Sequence, residues 1–279
     1  MRLIDVPSSL GLPGFVVVAI PFMLPLFGAD AVGQSGQINQ TPTQAVQIKT
    51  QTFTKDLPGC HAKPNPSQCA SIHLVYAEIV SAPTPKAKAA MDGEIRDLIL
   101  TPLEKGKAPA TADEFASQII THYQDWVRHG GDPKIPWAVT RSLDVVYNSP
   151  NVLCLKYTQS VELGKGHPAK STVYMNFRPR DGRVLQIPDL IEESQLDKFT
   201  DAARKRYTQE AAPVRSTDSP NEDESGDEFA LPTNFAIEAD GIRFRYDDEQ
   251  IDPKSHGTPE FLVPYSLVRP YLKPDVKLP

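Results

Sequence analysis

The chain has 279 residues, 40% of them hydrophobic and 23% charged, with 27 prolines and a formal net charge of −6. That length suffices for a proper hydrophobic core, and the negative balance excludes the basic surface that binding to nucleic acid or anionic lipid requires. Proline at about twice its average frequency predicts many connections and short elements.

The N-terminus reads as an export signal. Arg2 supplies the positive start, and Phe15 to Phe27 is an uninterrupted apolar run of 13 residues, shorter than the roughly 20 residues a membrane helix needs. Pro21 and Pro25 weaken any helix there. The small-x-small pattern at Ala29, Asp30 and Ala31 predicts cleavage between Ala31 and Val32. The expected mature protein is periplasmic or secreted, with no stable membrane insertion once the leader (1–31) is removed; an uncleaved N-terminal anchor is the rival reading. Residues 32–44 are polar, small and aperiodic, and are predicted to be a flexible spacer.

Two strands are predicted next. Val46, Ile48 and Thr50 alternate in "AVQIKTQTF", and Ile72, Leu74 and Tyr76 in "SIHLVYAEI". Between them Cys60 and Cys69 bracket "LPGCHAKPNPSQCAS". Zinc is the competing reading, since His61 and His73 lie close by. Paired zinc ligands, however, are usually two to four residues apart on each arm, and the adjacent Cys60 and His61 point apart. In an oxidising compartment a disulfide joining Cys60 and Cys69 is expected, pinning the strand junction. His73 is predicted to be a half-exposed strand residue.

Two helices follow. In the first, Met91, Ile95, Leu98, Ile99 and Pro102 form one stripe, with Pro102 as the stop. In the second, Thr111 and Glu114 form a capping box, and Phe115, Ile119, Tyr123 and Trp126 recur at helical spacing. Gly130 and Gly131 end it, with Arg128 and His129 near the negative end of its dipole. The aromatic stripe is expected to pack into the core. His122 and His129 share a side, but no sequence motif completes a metal site, and no metal or cofactor is predicted.

The centre is predicted to be an antiparallel meander. Val139, Leu143, Val145 and Tyr147 alternate; so do Leu153, Leu155, Tyr157 and Val161, and then Val173, Met175 and Phe177. Cys154, unpaired, is expected to be a small buried hydrophobe. Asp181 and Gly182 signal a tight turn. A helix from about Glu192 carries Leu196, Phe199, Ala203 and Tyr207. Residues 208–228, rich in Asp and Glu, are predicted to be a mobile loop without the order of an EF-hand. Asp240 and Gly241 then turn a hairpin between Phe235, Ile237 and Ile242, Phe244, Tyr246, and "EFLVPYSLVRPYL" closes the chain as a strand and a helical turn.

Catalytic motifs are missing: there is no GxSxG, SxxK, HExxH, P-loop or post-strand GxGxxG. The nearest thing to a functional loop is "ELGKGHPAKST", where Gly164 and Gly166 permit unusual backbone and His167 presents an imidazole beside Pro168. Gly164, Gly166, His167 and Pro168 are the candidate binding loop; a hairpin loop with no ligand is the plain alternative.

The order "GKGHPAKSTVYMNFRPRDGRVLQIPDLI", a helix, "NFAIEADGIRFRYDD" and "HGTPEFLVPYSLVRPYL" resembles the extracytoplasmic domain of RsiV-like proteins. That family includes sensor ectodomains of anti-sigma factors and accessory modules of peptidoglycan deacetylases. The family usually writes Gly-Gly-Ala-His where this chain has Gly164, Lys165, Gly166 and His167. The resemblance covers roughly Pro136 to Leu272 and implies an α+β fold, an antiparallel meander packed with several helices. It divides the chain into an N-terminal α+β half (45–135) and an RsiV-like half (136–279). Only Met1 to Gly14 precede the apolar run, so a sigma-binding part is not expected. In resembling sensors the ectodomain recognises lysozyme, so the expected function is a non-catalytic envelope protein that binds or senses a basic protein partner such as a lysozyme. The alternative is a cell-wall glycan-binding protein or a hydrolase or deacetylase accessory domain, with His167 and Glu162 or Asp144 forming the site.

Overall fold

The chain first folds back on itself at its two close cysteines. Strands β1 (Gln47–Asp56) and β2 (Ala70–Ser81) pair antiparallel, with Phe53 opposite Leu74 and Ile48 opposite Ile79. The Cys60–Cys69 disulfide, Cα to Cα 4.6 Å, and the bond from Leu57 N to Ala70 O (2.8 Å) close their junction. This computed structural model describes residues 46–58, 60, 69–104, 106–164, 168–211, 229–246 and 259–279. The leader with its Ala31 and Val32 cleavage point, the spacer, and Gly166 and His167 lie outside the described residues. Along β2 the buried positions change parity, from Ile72 and Leu74 to Ala77 and Ile79, so Tyr76, expected on the core face, is only half buried.

Helix α1 (Pro85–Ile99) starts where Thr84 accepts from Ala87 N at 3.0 Å and Pro85 takes the first turn, which has no use for its missing N–H. Its stripe buries Ala87, Met91, Ile95 and Ile99. Helix α2 (Ala112–Arg128) is capped by Thr111, which accepts from Glu114 N at 3.1 Å. Glu114 reaches back one residue further than a standard box and accepts from Ala110 N at 2.8 Å. The helix buries Phe115, Ala116, Ile119 and Tyr123 and ends before Gly130, whose φ of 97° suits only a residue without a Cβ.

These two helices carry the chain from the end of the sheet where β2 stops back to the end where β2 began, so β3 (Trp137–Asn148) enters parallel to β2, with Ile72 opposite Val139. Strands β4 (Leu153–Leu163), β5 (Ala169–Arg178) and β6 (Arg183–Val184) then meander antiparallel. The six-stranded sheet, in order β1-β2-β3-β4-β5-β6, is therefore mixed where a wholly antiparallel one was expected. It also runs across the 135/136 boundary between the two sequence halves. In β3 the register shifts between Val145 and Tyr147, and Val145 is 46% exposed despite its place in the apolar alternation. At the β5–β6 turn Gly182 has φ of 74°, and a Cβ there would sit 2.4 Å from Ala87 O of α1, so both conformation and contact demand glycine.

Helix α3 (Ile187–Leu190) and helix α4 (Leu196–Ala211) follow. Helix α4 continues through 208–211, residues expected to belong to the acidic loop; residues 212–228 lie outside the described ones. Strands β7 (Asn234–Ile237), β8 (Gly241–Arg245) and β9 (Glu260–Pro264) form a second, antiparallel sheet, and α5 (Tyr265–Val268) follows it. Its core gathers Phe199, Phe235, Phe244, Phe261 and Val263, with the Phe244 and Phe261 rings stacked at 5.4 Å. The outer edge of β9 is closed by side chains of α4: Arg206 Nε donates to Leu262 O (3.3 Å), Leu262 N donates to Glu210 Oε2 (2.9 Å), and Arg206 and Glu210 pair with each other. Among the described residues no helix is long and apolar enough to cross a membrane.

Candidate functional site

Trp137 opens β3 and lies opposite Leu163, which ends β4, so the sheet presents both residues at one end, beside α2. There Phe115, Ile119, Trp137 and Leu163 form the apolar wall of a cleft of about 230 Å³, and Glu104, Lys107, Gln118 and His122 contribute polar side chains to its lining. Glu104 and His122 approach at 3.6 Å, and Gln118 Nε2 donates to Lys107 O at 3.3 Å.

The wall is braced from behind. Tyr123, Trp126 and Trp137 pack together with ring centroids 5.5 to 5.9 Å apart. The Tyr123 hydroxyl accepts from Cys69 N (3.1 Å) and donates to Pro133 O (3.1 Å), while Trp137 N donates to Cys69 O (2.9 Å). The disulfide therefore holds the aromatic cluster as well as the strand junction. One polar atom is left over: Trp137 is 8% exposed, and its Nε1–H is the sole buried side-chain nitrogen or oxygen without a hydrogen-bond partner among the described residues.

The candidate loop begins at the rim of this cleft. Leu163 is 39% exposed, and Gly164 follows it with φ of 118° and open space around it. Pro168 is half-buried at the start of β5; nothing is described between them. The carboxylates named with His167 do not come together. Glu162 is opposite Ala138, while Asp144 lies six positions further along β3, opposite Lys156, about 20 Å away at strand spacing. Asp144 instead accepts from Ser142 Oγ at 3.2 Å. Among the described residues, no three His, Cys, Asp or Glu side chains gather closely enough to hold a metal ion. Phe115 and Ile119 are core residues, as expected, 1% and 5% exposed; for Trp137 the one signal in the sequence is a tryptophan opening a strand just after Pro136.

A second cavity, of about 210 Å³, lies between the β5–β6 turn and the C-terminal residues and is lined by Arg178, Asp189 and Asp275 among others. Two of its charges are paired: Arg178 Nε bonds both oxygens of Asp181 (3.0 and 3.1 Å), and Arg183 pairs with Asp189 at 2.5 Å; Arg180, Asp275 and Lys277 also line it. The Arg178 bond holds the Asp181 carboxyl below the usual carboxylate range, and Asp181 raises Arg178 in turn. Burial pushes the Cys154 thiol up to about 12 and moves Tyr265 strongly upward.

Among the described residues a mixed six-stranded sheet, a small antiparallel sheet and five α-helices define an α+β fold. Residues 188–266, from α3 into α5, match the family model described as "Protein of unknown function (DUF3298)". Two solved structures share the fold. A DUF3298 family protein from Pseudomonas aeruginosa PAO1 superposes with a TM-score of 0.63 at 16% identity, covering 85% of this chain and 99% of that one. A member of the same family from Bacteroides fragilis NCTC 9343 gives 0.60 at 16% identity, covering 83% and 95%. No curated protein matches the chain.

Proposed function

We propose that this chain is an exported envelope protein, periplasmic or secreted, that works by binding or sensing a protein partner and catalyses no reaction. The observation that carries this reading is Leu163, an exposed apolar side chain at the mouth of a cleft whose lining includes Glu104, Gln118 and His122. The groups with displaced ionisation support it too. They sit in structural pairs such as Arg178 with Asp181 and Arg243 with Glu238, or in the core, as Cys154 does.

A net charge of −6 favours a cation-rich partner, and the resemblance to RsiV-like ectodomains suggests a basic protein such as a lysozyme. The test is titration calorimetry of the mature protein against lysozyme at low and high salt. The reading requires saturable binding that weakens with salt and falls by roughly tenfold in Leu163→Asp. No heat of binding at low salt removes the lysozyme partner, and Leu163→Asp binding as the parent does removes the cleft mouth as the contact.

A further inference from the structure

We infer that β1 is a docking edge, at which a second copy of this chain adds its own β1 antiparallel and carries the six-stranded sheet on through a two-fold symmetric dimer. A strand edge is a row of N–H and C=O groups, and native proteins cover, shorten or charge the edges that stay unpaired. This chain does so elsewhere. Asn176 completes β7, Asn234 completes β5 where β6 does not reach, and Arg206 with Glu210 completes β9. Along β1, ten residues long, such cover stops just before the strand, at Val46 O, which accepts from Asn148 Nδ2.

The phase of the β1–β2 ladder fixes which groups point outward. Leu57 N donates to Ala70 O, so Phe53 and Lys55, at the same phase, bond to β2, and the alternate residues Thr50, Thr52 and Thr54 turn their N–H and C=O away from it. The other side of β2 agrees. Cys69 O accepts from Trp137 N, which gives the odd-numbered residues of β2 to β3 and the even-numbered ones to β1. All three threonines are exposed, and no side chain or loop among the described residues takes up their backbone groups.

The side chains of β1 suit a second copy of itself. Antiparallel pairing about a two-fold axis sets outward-pointing residues opposite one another, and axes near the middle of the strand differ in what else they oppose. An axis at Thr52 sets Lys49 against Lys55 of the copy, two like charges face to face. An axis at Gln51 runs the pairing into the ladder irregularity between Gln47 and Ile48. An axis at Phe53 keeps to the regular part of the strand. It pairs Thr52 with Thr54 and sets Lys55 against Gln51, Lys49 against Leu57 and Asp56 against Thr50, so no like charges meet. Phe53, half-buried at the rim of the core, then meets its own symmetry mate at the close, non-hydrogen-bonded spacing of about 4.5 Å between Cα atoms.

This inference goes beyond the partner reading and stands apart from it, since the dimer forms without lysozyme. The test is sedimentation of the mature protein from about 10 µM to about 0.5 mM, a range that detects a weak association. A reversible, concentration-dependent monomer–dimer equilibrium is expected. Thr52→Pro removes an outward N–H, a change an edge strand tolerates, and abolishes the dimer. Gln51→Lys keeps Glu78 as a partner within its own chain and faces Lys55 of the copy on both sides of the axis. It weakens the dimer roughly three- to tenfold and carries the test by itself if Thr52→Pro fails to fold. On oxidation Phe53→Cys gives a cross-linked dimer, whereas Thr50→Cys, about 20 Å from its own copy, does not. The inference is overturned if the protein sediments as a monomer throughout, if the folded variants dimerise as the parent does, or if Thr50→Cys cross-links as readily as Phe53→Cys.

Discussion

Asn176 and Asn234 exchange places as strand neighbours. Asn176, on β5, donates from Nδ2 to Phe235 O (2.7 Å) and accepts from Ile237 N (2.8 Å), so its amide serves the edge of β7. Asn234, on β7, accepts from Tyr174 N (2.9 Å) and donates to Thr172 O (2.7 Å), serving the edge of β5 where β6 does not reach. Among the described residues these four hydrogen bonds join two sheets that share no ladder, and they satisfy two backbone groups on each edge inside the protein. Asn176→Asp keeps the shape but cannot donate to Phe235 O and buries a charge; Asn234→Leu leaves Tyr174 N and Thr172 O unpaired. Each is expected to cost about 2–5 kcal/mol in urea unfolding, against less than about 0.5 kcal/mol for an exposed control such as Thr140→Ser.

Arg141 is a cation in the core. It is 1% exposed, donates from Nη1 to Ile99 O (2.6 Å) and from Nε to Gln159 Oε1 (2.9 Å), and stacks over the Phe115 ring at 4.4 Å. No carboxylate pairs with it among the described residues, and desolvation lowers its pKa. Its place is set by β3 alternation, between Val139 and Leu143, where an apolar residue would be expected. Arg141→Ala, which opens a cavity and strands Ile99 O, is expected to lose about 3–5 kcal/mol in urea unfolding. Arg141→Met, which fills the volume and removes the cost of burying a charge, should lose much less.

Stability is expected to fall at alkaline pH. The Cys154 thiol is raised from 9.0 to about 12 and the Tyr174 phenol from 10.0 to about 12, each chiefly by burial. A group whose folded pKa is raised keeps its proton after the unfolded chain has lost it. Its contribution is therefore complete below the unfolded value and declines as pH rises towards the folded one, by about 1.4 kcal/mol per pH unit per group. Urea midpoints should be level from neutral pH to about 9 and then drop. Cys154→Ala should drop less steeply, and the native thiol should resist alkylation until the chain unfolds.

The disulfide is expected to stabilise the fold by about 2–3 kcal/mol through restriction of the unfolded chain. Because Cys69 also anchors Tyr123, Cys60→Ser with Cys69→Ser should loosen the Tyr123–Trp126–Trp137 cluster and change tryptophan fluorescence even where the protein remains folded. Of the three cysteines, denatured protein without reductant should alkylate at Cys154 alone, and with reductant at all three.

Much of the molecule was legible from residues close together in the chain. Thr111 caps a helix, the apolar stripes of both helices repeat every three to four residues, Cys60 and Cys69 close a hairpin between two alternating runs, and Asp181–Gly182 and Asp240–Gly241 make their turns. Such features are decided within a few residues, because capping, turn geometry and hydrophobic period are local. The tertiary structure alone decided the parallel pairing of β2 with β3, the burial of Arg141, the amide exchange between Asn176 and Asn234, and the meeting of Trp137, Phe115 and Leu163 in one cleft. Each of these takes its energy from a partner many residues away. An asparagine that completes a distant strand edge carries the same local signal as one in water, and a tryptophan on a cleft wall the same signal as one sealed in a core.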